Sequence, residues 1–140
     1  MAALDVLALS DTVLTRLLTL DPASASVYDG VVPEHPTLPY VAYYANPGVA
    51  LNARMARAPG RASWSFFAIA VGVSRSQCIW VSKKVRDLFV GWRPDPDGSA
   101  SPLTEVDLGN DVLANDELPG DVRYSFTLRY TLHTTRSLNG

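Results

Sequence analysis

The stretch Ser63-Trp-Ser-Phe-Phe-Ala-Ile-Ala-Val-Gly-Val73, followed at once by Ser74-Arg-Ser-Gln77, decides the fold. Its aromatic and β-branched content predicts a strand. Alternation sends Trp64, Phe66, Ala68 and Ala70 to one face and Phe67, Ile69, Val71 and Val73 to the other. A strand apolar on both faces needs cover on both. One helical layer covers one face. The second face finds its partner within the fold or in another subunit. Together with the long connection that precedes it, the segment is more apolar surface than one subunit is expected to hide, which points to neighbouring copies. Gly72, near its end, suggests a bulge.

The residues after this strand switch from a period of two to a period of three and four. Ser74 and Gln77 have the spacing of a capping box, in which two side chains satisfy helix-start amides reciprocally. A helix is predicted from there to about Val90, with Cys78, Val81, Val85 and Leu88 on its buried stripe and Lys83, Lys84, Arg86 and Asp87 in solvent. Gly91 suits the left-handed position that ends a helix. Before the strand, Ala3 to Leu20 is a second amphipathic helix, carrying Val6, Leu9, Val13, Leu17 and Leu20 at helical spacing until Asp21-Pro22 stops it. A polar linker and the turn signal Tyr28-Asp29-Gly30 follow, and Leu38 to Ala45 reads as a strand with Pro39 at its start.

Asn46 to Ala62 is a connection rich in Pro, Gly, Ala and Arg, long enough to be an extended hairpin arm. Leu103 to Leu108 is a candidate short strand, and Asn110 to Gly120 an acidic connection. Val122 to Thr135 alternates cleanly, with Val122, Tyr124, Phe126, Leu128, Tyr130 and Leu132 facing one way and Arg123, Ser125, Thr127, Arg129, Thr131 and His133 the other. The expected architecture is α+β: a small antiparallel or mixed sheet with two packed helices, in the order α-β-β-α-β-β, forming a single domain over residues 1–140.

Composition narrows the function. The chain has 140 residues, 47% of them hydrophobic and 19% charged, and a formal net charge of −2, so bulk attraction to nucleic acid is not predicted. The one cysteine, Cys78, precludes an internal disulfide, and the opening Met1-Ala-Ala-Leu-Asp5, with an early acid and no basic region, is not expected to be a secretory signal. The longest apolar run, Phe66 to Val73, falls far short of the ~20 residues a membrane helix needs, so no membrane association is expected. His35 and His133 lack any metal-ligand spacing, and Cys78 lies on a buried stripe without an activating base. Asp95-Pro-Asp97-Gly98 lacks the remaining ligands of a calcium loop and reads as a turn. No catalytic residue, metal site or cofactor is expected, and the chain is not expected to be an enzyme.

Charge is distributed unevenly. Between Asn52 and Arg93 stand Arg54, Arg57, Arg61, Arg75, Lys83, Lys84, Arg86 and Arg93 against one acid, Asp87. Between Pro94 and Asp121 stand Asp95, Asp97, Glu105, Asp107, Asp111, Asp116, Glu117 and Asp121 with no base. Such a split is neutralised within one fold or is complementary between subunits. The candidate interface residues are therefore Arg54, Arg57 and Arg61 of the arm, Trp64 and Phe66 of the doubly apolar strand, and Asp107, Asp111, Asp116 and Glu117 of the acidic segment.

Several of these features recur together in one protein family. The leading helix, the Tyr28-Asp29-Gly30 turn, the Pro39-Tyr-Val41 strand, the long hairpin, the helix ending Val85-Arg-Asp-Leu-Phe-Val-Gly-Trp-Arg-Pro94, and the closing Arg123-Tyr-Ser-Phe-Thr-Leu-Arg-Tyr130 strand resemble the tail terminator (tail completion) proteins of long-tailed bacteriophages. The resemblance spans nearly the whole chain through diffuse motifs. It implies a non-enzymatic virion protein at the head-proximal end of the tail, assembled in the host cytoplasm as a hexameric ring. Its implied partners are further copies of itself, the major tail tube protein, the head–tail connector or neck protein, and DNA passing through the channel without sequence recognition. Three other readings stay open: a phage neck or head-completion protein, a homodimeric binding module, and a small ligand-binding or enzymatic α+β domain whose pocket uses Tyr40, Tyr43, Tyr44 and Trp64.

Overall fold

Two helices lie against one face of a seven-stranded sheet, and the doubly apolar segment is one of its central strands. The computed structural model describes residues 4–20, 25–45, 49–50, 62–94, 100–115, 122–134 and 138–139. In chain order the elements are β1 (Leu4–Asp5), α1 (Val6–Leu17), β2 (Ser26–Asp29), β3 (Tyr40–Ala45), β4 (Val49–Ala50), β5 (Ala62–Gly72), α2 (Arg75–Phe89), β6 (Thr104–Val106), β7 (Leu113–Asn115), β8 (Arg123–Thr134) and β9 (Leu138–Asn139). The sheet runs β2-β3-β5-β8, with β6 and β7 one after the other along the outer edge of β8. All its pairings are antiparallel except β2 with β3; β1 and β9 form a separate parallel pair. This is the α+β architecture the sequence predicts.

Both helices start where their caps dictate. The Asp5 carboxylate accepts a hydrogen bond from Leu7 N at 3.0 Å, and the stripe Val6, Leu9, Val13 and Leu17 is buried. Ser74 Oγ accepts from Gln77 N at 3.1 Å, while Gln77 Oε1 reaches back to the amide of Val73 at 2.8 Å. That is the reciprocal logic of a capping box, closed one residue before the cap. The buried stripe of α2 ends on Phe89, not Leu88, which is half-buried. Phe89 carries more apolar surface and drifts onto the core side as the 3.6-residue period accumulates.

Against the helices, Trp64, Phe66, Ala68 and Ala70 of β5 are buried beside Leu128, Tyr130 and Leu132 of β8 and Val41 and Tyr43 of β3. Phe66 is the hub: its ring lies 5.1 Å from Phe89, 5.4 Å from Trp64, and 5.5 Å from both Tyr43 and Tyr130. Such offset and edge-on contacts each add about 0.5–1.5 kcal/mol beyond area burial. Gly72 is not a bulge. It pairs with Tyr124 in an unbroken register from Ala62↔Thr134, and its missing side chain is what the helix start requires, since a Cβ there would stand 2.8 Å from Cys78 N.

The opposite face of β5 corrects a second expectation. It is covered in part by its own chain. The connection from Gly30 to Pro39, which returns the chain so that β2 and β3 run parallel, lays Val32 and Leu38 on Tyr28, Tyr40, Ala42, Ile69 and Val71. Farther along, the Arg129 guanidinium covers Phe67 at 5.5 Å. Phe67 and Ile69 remain half-buried. β2 itself was expected to be linker and turn. Four residues with one neighbour have no strong local signal, and tertiary pairing with Tyr40–Tyr43 makes the strand. β4 pairs with Ser63 and Ala62; because β8 fills the other edge of β5 throughout, β4 prolongs the edge held by β3, as a hairpin arm does.

Candidate assembly surfaces

Trp64 and Phe66, expected at a subunit boundary, are 1% and 0% exposed and offer nothing to a neighbour. The error has a physical source. Alternation shows that both faces of a strand are apolar, but not which face the helices take. Arg54, Arg57, Arg61, Asp116 and Glu117 lie outside the described residues. Asp107 is exposed, and its Oδ1 accepts the amide of Gly109 at 2.8 Å, a turn in which Gly109 adopts φ +66°. Asp111 is exposed on the wall of a cleft shared with Arg75, Val112 and Leu113.

One contact across the charge split is internal. Arg86 Nε and the Tyr130 hydroxyl both donate to Glu105 Oε1 at 3.0 Å, tying α2, β8 and β6 together. Burial, reinforced by the Glu105 carboxylate, pushes the Tyr130 phenol far up, and the hydrogen bond that Arg86 donates to Glu105 holds its guanidinium more firmly charged. Tyr43 behaves similarly: burial pushes its phenol up to about 12 against the opposing effect of its 2.9 Å hydrogen bond with Ser10 of α1. Cys78 is fully buried, its thiol pointing to Ala70 O at 3.4 Å and pushed up by desolvation, which disfavours the nucleophilic thiolate.

The aromatic residues suggested for a ligand pocket do not converge. The β3–β5 register sends Tyr43 and Trp64 toward the helices and Tyr40 and Tyr44 toward the opposite face. Tyr40, Tyr43 and Trp64 are buried, and Tyr44 is exposed.

Among the described residues, clefts with exposed chemistry open at two places on the surface. The first, about 380 Å³, runs along α1 and is lined by Asp11, Thr12, Thr15, Arg16 and Thr19 with Trp92. There Arg16 stacks 4.6 Å above the indole and donates from Nε to Leu88 O at 2.6 Å, so its cation is already committed to joining α1 to the end of α2. The second is a valley between α2 and the β7 edge. Its two adjoining parts, about 480 and 120 Å³, are lined by Arg75, Ile79, Lys83 and Arg86 on the helix side and by Asp111, Val112, Leu113 and Phe126 on the sheet side. Ile79 is 40% and Leu113 63% exposed, and Trp80 on the same helix is 44% exposed with Lys84 over its ring. The sequence alone does not show this valley, because Asp111-Val-Leu-Ala114 reads as part of an acidic connection. The apolar run inside it was the available signal. Among the described residues no helix is long and apolar enough to cross a membrane.

Neither a protein-family model nor a curated protein matches the sequence. Among solved structures, the chain is similar to one from the virion of a native gene transfer agent (GTA) particle, with a TM-score of 0.56 and 18% identity over 89% of this chain and 92% of that chain. At that identity the likeness establishes a shared fold, and it extends over nearly the full length of both molecules.

Proposed function

We propose that this protein is a structural component of a phage-like virion, and specifically a tail terminator: a ring of identical subunits, hexameric by family resemblance, that caps the tail tube and joins it to the head connector. The observation that carries this reading is the fold shared nearly end to end with a chain of a virion particle. The sequence resemblance to tail terminators supports the finer assignment. The mechanism needs no bond chemistry. One ring face mimics a tube subunit and docks, and the other presents no surface on which a further tube ring can add.

A closed ring requires that two different patches of one subunit meet across every interface. The β4–β5 pair at the base of the long connection and an exposed apolar valley flanked by cations and an acid are non-identical surfaces of that kind. Arg54, Arg57 and Arg61, in the sequence between β4 and β5, are proposed to contact a neighbouring copy or the phosphates of DNA in transit, which needs no base readout.

The test is tube-length control. Purified protein added to polymerising major tail tube protein is expected to shorten the tubes and to appear as a ring at one end in negative stain. Tubes of unchanged length without end density, together with stable binding to a portal or adaptor, would transfer the protein to the neck.

A further inference from the structure

Among the described residues, the valley between α2 and β7 combines an open apolar floor with charge that has no partner in its own chain. Ile79, Val112, Leu113 and Phe126 form the floor. Arg86 is engaged by Glu105, but among the described residues Arg75 and Lys83, both exposed, have no ion-pair partner, and one acid, Asp111, shares their cleft. A floor of this kind rimmed by charge marks an interaction site, and its surplus cations call for an occupant that is acidic and carries an apolar side chain. The chain itself contains such a stretch: Asp116-Glu-Leu-Pro-Gly-Asp121 has three acids around Leu118 and no base.

We propose that the valley is one half of the contact between successive copies, receiving Leu118 of the neighbouring copy on its floor with Asp116 and Glu117 against Arg75 and Lys83. The proposal rests on the ring reading and names its interface. Valley and acidic stretch are different patches of one subunit, so the contact propagates head to tail around a ring when each copy engages two neighbours. A reciprocal exchange between two copies closes instead as a two-fold dimer. The oligomer mass from light scattering separates the two, and a dimer overturns the ring contact.

Charge reversal and mixing test it. The valley-reversed variant carries Arg75→Glu and Lys83→Glu; the stretch-reversed variant carries Asp116→Lys and Glu117→Lys. Each juxtaposes like charges with its own kind and is expected to weaken self-association at least about tenfold, read as loss of the oligomer by light scattering. An equimolar mixture restores attraction at every interface and is expected to return the oligomer. If mixing fails while one chain carrying all four changes assembles, the residues pair elsewhere or within a chain, and the proposal is wrong. If both variants assemble as the unmodified protein does, the contact lies elsewhere and the ring reading stands. If they assemble normally but no longer cap tubes, the valley receives the tube protein and not a sibling. A native protein that stays monomeric both alone and with tube protein overturns the ring and this contact together.

Discussion

The two faces of β5 begin with comparable apolar side chains and end in different environments. On the helix side Trp64, Phe66, Ala68 and Ala70 are at most 1% exposed and join a core that includes α1, α2 and the neighbouring strands β3 and β8. On the other side Val71 is buried in a small cluster under the Gly30–Pro39 connection, while Phe67 and Ile69 stay half-covered. Apolar content thus set the demand for cover, and the cover came from two sources of unequal quality: packed helices, and a loop with one arginine stem. Exposed apolar side chains on α2 and β7, Ile79, Trp80 and Leu113, lie away from the buried face of the strand with the strongest hydrophobic signal.

Substitutions on the two faces sharpen this contrast. The largest effect is expected for Phe66→Ala, which removes the ring shared by four aromatic contacts and leaves a cavity costing about 3–5 kcal/mol, seen as a lower urea midpoint. Gly72→Ala comes next, at about 1–3 kcal/mol, because the added methyl meets helix backbone at 2.8 Å and the backbone must shift. A cost near zero would show that the start of α2 is not pinned to β5.

The third effect is a pH dependence confined to the helix side. Tyr43 and Tyr130 keep their protons in the folded chain well above the ordinary phenol value of 10.0, at which the unfolded chain releases them. Above that pH the native state binds more protons than the unfolded one, so stability falls as pH rises, by up to about 1.4 kcal/mol per group per pH unit. Tyr43→Phe is expected to lower the slope in denaturation curves taken between pH 10 and 11, leaving the contributions of Tyr130 and the buried Cys78 thiol. An unchanged slope would mean that Tyr43 does not contribute. The smallest effect is expected for Phe67→Ala, about 1 kcal/mol, since its ring is half-covered and its loss frees Arg129 to solvate. A cost equal to that of Phe66→Ala would erase the distinction between the faces.

Local signals were enough for much of this. Ser74 and Gln77 announced the start of α2, and strict alternation from Arg123 to Thr134 fixed which side of β8 is buried, whereas α1 is shorter than the expected Ala3–Leu20 and ends at Leu17, ahead of Asp21-Pro22. The β2 strand and the β7 strand left no such trace, because each is short and exists through a partner distant in sequence. The candidate surface was legible only as charge. Asp111 does stand on the valley wall, but Ile79, Val112 and Leu113, which form its floor with Phe126, were not selected.

What the amino-acid sequence determined alone is everything carried by neighbours a few residues apart: periodicity, caps, turn residues, and hence element type and the apolar face of each element. What tertiary structure decided is the pairing of those faces. That choice depends on shape and on the path of connections such as Gly30–Pro39, which place remote residues against one another, so it put Trp64 and Phe66 in the core and left the α2–β7 valley open.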